Sequence, residues 1–215
     1  MKYEVILFDA DETLFDFKKS EREAFRKAMI DMGIEYDEDY HFKIYHEINT
    51  KIWREFEEGL ITQEKPKVER FRRLANKLSI KLDEYEIAEL YMNHLSEASF
   101  LYDESIELLE ELKEKYKLII ITNGLTKVQD KRIRKSKIAK YFKEIIISEE
   151  VDISKPNAEI FHHALDDVDV VGQYGSSTGK SKFACREIDD VHLVGQQMID
   201  FLRLHVLAFG LHASS

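Results

Sequence analysis

The sequence predicts an α/β protein, with a parallel sheet at its core and an all-helical insertion after the first strand. Three short, nearly continuous apolar runs, Tyr3–Phe8, Lys117–Thr122 and Ile145–Ser148, read as buried strands. Helical periodicity separates the second run from the third, and alternation at this pitch implies parallel pairing with right-handed crossovers. From Lys18 to about Ser99 the chain is instead charged and amphipathic, with no strand signal to interrupt it.

Taken in order, Tyr3–Phe8 is closed by Asp9, with Asp11 two residues on. Within the insertion, Ile44, Ile48, Ile52 and Phe56 recur at every fourth position and Trp53 adds to the same side. A further helix follows Pro66, with Val68, Phe71, Leu74, Ala75 and Leu78 on one face. This spacing places Tyr45 and Phe56 in a core, although either ring could instead stack on a base. Ile106–Leu112 has the apolar spacing of a helix lying on a sheet, and Val128–Lys137 reads as another helix, whose basic run Lys131–Lys137 forms a solvated face. The expected domains are an α/β core over 1–16 and 100–215 and a helical cap over 17–99. Beyond Asp166 the composition shifts, and five of the eight glycines fall there. Val168–Gly172 and Val191–Gly195 read as strands and Met198–Phe209 as an apolar helix. Gly175 and Gly179 precede Lys180, but three residues separate the glycines where a phosphate loop needs four, so a flexible turn is the reading.

A formal charge of −10 argues against a nucleic-acid polymer as partner, since that binding rests on many cationic phosphate contacts. With 34% charged and 44% hydrophobic residues, neither wholesale disorder nor a membrane span is expected, and no run of about twenty apolar residues occurs. The expectation is a soluble cytoplasmic protein, monomeric or homodimeric, acting on a small molecule. The single cysteine, Cys185, has no internal partner and reads as structural.

The candidate chemistry sits where the strands end, the edge at which parallel sheets build their sites. Asp9 and Asp11 can flank one reaction centre, one as nucleophile and metal ligand and the other as proton donor; an Asp-rich turn is the plainer alternative. Thr122 ends the second strand, where its hydroxyl and the Asn123 backbone N–H can donate to an anion. Gly124 permits a tight turn into a helix whose N-terminus favours anions. Lys155 precedes Pro156, which keeps it out of a helix interior and suits the first helical turn.

These segments resemble a known family. Asp9-Ala10-Asp11-Glu12-Thr13-Leu14-Phe15 is similar to the first motif of the haloacid dehalogenase (HAD) superfamily, Ile119–Gly124 to its second and Ser154–Phe161 to its third. The surrounding phrases, including Ile147-Ser148-Glu149-Glu150-Val151, most resemble the branch of house-cleaning pyrimidine 5′-nucleotidases. The resemblance covers about residues 1–165. It implies a HAD-like Rossmannoid sheet with an inserted helical cap that closes over the site, and a Mg²⁺-dependent phosphatase of small phosphate monoesters, with nucleoside 5′-monophosphates leading. Asp9 would attack phosphorus to form an aspartyl-phosphate and bind the metal. Asp11 would exchange protons with the leaving group and with water while its backbone carbonyl reaches the metal. Thr122, Asn123 and Lys155 would hold the phosphoryl group, Lys155 also assisting catalysis, and Thr13 would stabilise the turn. Family members that cleave carbon–halogen bonds lack an aspartate at the position of Asp11, which favours phosphate over halide.

The fourth motif departs from the family. Gln173 stands where the first metal-binding acid is expected, and Gln196 occupies the equivalent place in a second alignment, in which Asp200 fits the later acid; Asp189 and Asp190 are also at hand. Glutamine offers magnesium only a neutral oxygen. The alternatives are therefore another HAD hydrolase, a sugar-phosphate phosphatase or a haloacid dehalogenase, or a catalytically impaired HAD scaffold.

Overall fold

The computed structural model describes residues 3–62, 64–166 and 208–210 of the 215. Its elements are β1 (Tyr3–Phe8), α1 (Phe17–Asp31), α2 (Lys43–Glu57), α3 (Lys65–Leu78), α4 (Glu84–Glu97), α5 (Ser105–Leu112), β2 (Lys117–Thr122), α6 (Thr126–Gln129), β3 (Glu144–Ile147), α7 (Ser148–Val151), α8 (Ala158–Asp166) and β4 (Ala208–Gly210). The chain divides into two compact units. One comprises 1–16, 101–126 and 136–215, the other 17–100 and 127–135.

The first unit holds a sheet of order β3-β2-β1-β4. β1 runs parallel to β2, with Val5 opposite Lys117 and Phe8 opposite Ile120, and β2 runs parallel to β3, with Thr122 opposite Ile147. All three therefore end at one edge of the sheet. Side chains alternate between the faces. Val5, Ile119, Ile121 and Ile146 pack with Ile160, Phe161 and Ala164 of α8, while Ile6, Phe8, Leu118 and Ile120 are buried on the opposite face. The short β4 pairs antiparallel with β1. Residues 208 and 209, expected at the end of an apolar helix, are thus in a strand, where they satisfy backbone groups on the edge of β1 that β2 leaves open. The two strands expected over 168–172 and 191–195 lie outside the described residues.

The second unit is built from α1 to α4, with α1 packed on α4 and α2 on α3. Its core is a stack of rings: Phe25 lies on Tyr45 at 4.1 Å and 14°, Tyr45 neighbours Phe71 at 5.8 Å, and Phe71 meets Tyr91 at 5.5 Å. Tyr45 is 0% exposed, which removes it as a base-stacking residue; Phe56 is half-buried against the edge of Trp53. Beside the rings runs a buried polar chain. Arg70 Nη1 donates to Asn49 Oδ1 (2.9 Å), Asn49 Nδ2 donates to Glu21 Oε1 (2.6 Å), and Glu21 Oε2 bonds His46 Nδ1 (2.9 Å). The two buried charges are linked through an amide, the compensation that burial of ions demands.

The helix expected over 128–137 is instead α6 followed by a π-helical turn, Asp130–Arg134, and this segment groups with the second unit. Its basic run is not wholly a solvated face. Arg132 is 0% exposed, with its guanidinium 5.2 Å from the Phe17 ring centroid, Nη1 donating to Gln129 Oε1 (3.0 Å) and its carbonyl accepting from Ser99 Oγ (2.7 Å). An aromatic face and an amide oxygen stand in for the water it gives up. Lys131, Lys135 and Lys137 remain exposed.

Candidate active site

The site candidates lie in the first unit, at the ends of its parallel strands. Asp9 is the first residue past β1, and its side chain is 36% exposed. Asp9 Oδ1 accepts from the Ala10 N–H (2.8 Å) and from Lys155 Nζ (2.8 Å). Both bonds land on one oxygen, so Oδ2 takes neither. The chain then coils tightly. Leu14 and Phe15 N–H both donate to Ala10 O (3.0 Å each), and Glu12 N–H donates to Phe15 O (2.9 Å). Glu12 adopts φ 58°, a left-handed conformation that non-glycine residues hold at functional turns where the surroundings impose it. Asp11, half-buried, pairs with Phe15 in an isolated bridge. Thr13 is 3% exposed, and its Oγ1 has no hydrogen-bond partner among the described residues. Backbone bonds hold this turn, and Thr13, expected to stabilise it, contributes through burial.

Thr122 ends β2 and is 1% exposed. Asn123 turns its side chain to Lys155: its Oδ1 accepts the Lys155 N–H (2.8 Å) and its Nδ2 donates to the Lys155 carbonyl (2.9 Å). Gly124 N–H donates to Ser148 Oγ (3.3 Å) and Thr126 N–H to Glu149 Oε2 (2.7 Å). The helix expected to offer anions its N-terminus is thus the four-residue α6, and a carboxylate already occupies its first N–H. On the other side, Lys155 Nζ donates to Ile121 O (3.0 Å) as well as to Asp9, its side chain 20% exposed. Pro156 precedes α8 instead of sitting in its first turn; Asn157 Oδ1 caps the helix by accepting from Glu159 N–H (3.0 Å).

Asp9, Asn123 and Lys155 are therefore brought together, with Ile121 and Thr122 alongside in the chain. Asp200, Gln173 and Gln196 lie outside the described residues, which hold no group of three or more His, Cys, Asp or Glu side chains suited to a metal. Of the metal donors that the resemblance implies, the Asp9 carboxylate stands at this strand end, partly exposed. One carboxylate is a small set, but Mg²⁺ is often held by one or two carboxylates with water and substrate oxygens completing its shell. Reading the sequence missed the Asn123 side-chain clamp, the parts of Ser148 and Glu149, and Tyr102. The Tyr102 N–H donates to Leu14 O (3.1 Å), and burial, then the charge of Glu12, pushes its hydroxyl up to about 12. The Ile147–Val151 phrase flagged the first two positions only as part of a resemblance.

Comparison with known proteins agrees with this geometry. Residues 3–173 match the haloacid dehalogenase-like hydrolase family. The chain is 33% identical over 165 residues to the HAD-hydrolase YfnB of Bacillus subtilis, covering 77% of this chain and 70% of that one. It is 31% identical to the pyrimidine 5′-nucleotidase YjjG of Escherichia coli, covering 77% and 72%. It is 30% identical to the pyrimidine 5′-nucleotidase PynA of Streptococcus pneumoniae, covering 74% and 67%. A crystal structure of YfnB bound to magnesium superposes with a TM-score of 0.74 over 80% of this chain and 75% of that one. The L-2-haloacid dehalogenase of Xanthobacter autotrophicus shares the fold alone, with a TM-score of 0.58 at 17% identity, covering 82% and 67%. With carboxylate and lysine joined at the ends of parallel strands, and a family match spanning most of its length, the chain belongs to the haloacid dehalogenase-like hydrolases.

Proposed function

We propose that the protein is a Mg²⁺-dependent phosphatase of small phosphate monoesters, with nucleoside 5′-monophosphates as the leading class. The observation that carries this reading is the Asp9–Lys155 pair, in which one carboxylate oxygen is held by an ammonium and a backbone N–H while the other is left to react. The nucleotide class is supported by YjjG and PynA, both pyrimidine 5′-nucleotidases at 31% and 30% identity.

Asp9 Oδ2 attacks phosphorus, forming a P–O bond as the ester P–O bond breaks, and Asp11 gives its proton to the departing oxygen. Water then attacks the aspartyl-phosphate, Asp11 takes a proton back, and Asp9 and inorganic phosphate are released. Lys155 and the end of β2, through the Thr122 hydroxyl and the Asn123 backbone N–H, hold the phosphoryl oxygens as charge redistributes. When bound by Asp9 and the Asp11 carbonyl, Mg²⁺ supplies positive charge that offsets the phosphoryl anion.

Phosphate release from pyrimidine nucleoside monophosphates, sugar phosphates and an aryl phosphate, each titrated with Mg²⁺, tests the reading. Hydrolysis that needs the metal and favours nucleotides is expected, and halide release from a haloacid without phosphate release would overturn it. A second reading, an impaired scaffold, draws on the glutamines at positions 173 and 196 and the sparse donor set among the described residues. It predicts no turnover of any ester at saturating metal.

A further inference from the structure

Lys155 has neither strand nor helix to hold it. The chain leaves α7 at Val151, passes Asp152 at φ 54° and enters α8 only at Ala158, so no ladder or helix carries residues 152–157, although Ile153 packs against the core. Ile153 N–H reaches Ser148 O (3.3 Å) and Asn157 N–H reaches Ser154 O (2.9 Å). At Lys155 both backbone groups go to one side chain, that of Asn123 (2.8 and 2.9 Å). A carboxamide carries an acceptor and a donor side by side, as a strand residue does, so Asn123 supplies the rung that no strand provides here. The far end of Lys155 returns to the same strand, its Nζ donating to Ile121 O (3.0 Å) as it meets Asp9 (2.8 Å). β2 and the residue after it thus grip this lysine at its backbone and at its ammonium.

We infer that Asn123 is a positioning residue: through the Lys155 backbone it sets where the ammonium stands against Asp9, and its own side chain takes no part in holding substrate. This rests on the roles proposed above for Asp9 and Lys155. A lysine reaches its target through a flexible four-carbon stem, so the ammonium is placed only as well as the backbone that carries it. Misplacement of a catalytic group by about 1 Å can slow a reaction on the order of a hundredfold.

The test is a cycle in the full chain, comparing wild type, Asn123→Ala, Lys155→Ala and the double variant on p-nitrophenyl phosphate with excess Mg²⁺, each checked for fold by circular dichroism and thermal unfolding. Asn123→Ala should lower kcat by roughly 10- to 100-fold with KM moving less than about threefold. Made in the Lys155→Ala background it should change kcat by less than about threefold, since two residues acting as one unit are not additive. An equal loss in both backgrounds, or none in wild type, overturns the inference. If Lys155→Ala keeps wild-type turnover, the role proposed for Lys155 falls; if it is inactive while Asn123→Ala is fully active, only the positioning role falls. Where turnover is too low to measure, the same four proteins are titrated with inorganic phosphate by calorimetry. The positioning role then requires Asn123→Ala to leave phosphate affinity unchanged in the Lys155→Ala background, and a weakened affinity there would assign the carboxamide to the ligand. Asn123→Asp, which keeps the volume and the acceptor for the Lys155 N–H but loses the donor, serves if the alanine variant does not fold, and it should show the same dependence on Lys155.

Discussion

Replacing Asp9 with asparagine separates the chemistry of the site from its architecture. The amide keeps Oδ1, and with it acceptors for the Ala10 N–H and Lys155 Nζ, both at 2.8 Å. What disappears is the charge. For unit charges 2.8 Å apart the attraction is about 6 kcal/mol at an effective dielectric of about 20, an upper bound before desolvation and screening are charged against it. The Asp9 side chain is 36% exposed and the Lys155 side chain 20%, so screening reduces the net term to about 1 kcal/mol. In a chain of this size that lowers the thermal midpoint by roughly 2–4 °C. Turnover should respond on a different scale. A neutral amide oxygen is a poor nucleophile toward phosphorus, and loss of a covalent nucleophile lowers kcat by at least about 10³-fold. Steady-state hydrolysis of an aryl phosphate, run beside a thermal melt, reads both quantities. Activity above about one hundredth of wild type, with the variant confirmed intact by mass spectrometry, removes Asp9 from the nucleophile role.

Asp11→Asn should slow alkyl phosphates by about 10²–10⁴-fold and aryl phosphates much less, because a phenolate leaves without a proton; equal slowing of both esters refutes the acid role. Phe25→Ala, at a position 0% exposed and stacked on Tyr45, should destabilise the helical unit by about 3–5 kcal/mol in urea titration, and a loss below about 1 kcal/mol denies that ring its place in the core. His46 titrates above its ordinary 6.5, chiefly through its hydrogen bond to Glu21. Its contribution to stability is therefore complete below pH 6.5 and lost as pH rises through the higher folded value. The wild-type urea midpoint should fall across that window, and His46→Asn should flatten the fall; an unchanged slope in the variant excludes this pair as its source.

The strands of the core could be read because each is a short apolar run closed by polar residues, and parallel ends share an edge whatever lies between them. That rule alone places Asp9 and Thr122 at one edge. Local pattern fails where a residue's partner is distant in the chain. Asn123 looks like part of a strand-to-turn sequence, yet both polar atoms of its side chain are committed to a residue 32 positions away. Arg132 sits among four other basic residues, with isoleucine and serine neighbours, where charge argues for solvent, yet it is buried against the Phe17 ring and the Gln129 carboxamide, partners no local pattern announces. The start of the short α6 was no more legible, since the carboxylate that takes its first N–H belongs to Glu149 in α7, 23 residues further along the chain.

Three loops meet at this site, and sheet hydrogen bonds hold none of them. Backbone groups that leave a ladder still need partners, and here side chains provide them: Asp9 for Ala10, Asn123 for Lys155, Ser148 for Gly124, Glu149 for Thr126. The neutral bonds among these contribute about 1 kcal/mol each to stability and those to a carboxylate about 1.5–3 kcal/mol. Yet each one fixes a loop whose displacement by about 1 Å changes rate on the order of a hundredfold. Stability and activity should therefore part company at these positions. Ser148→Ala illustrates the consequence: the thermal midpoint should fall by only a few degrees, about 1 kcal/mol, while kcat falls by about tenfold or more. A variant that loses activity only in proportion to its unfolded fraction would show instead that Ser148 supports the fold and leaves the loop after β2 where it was.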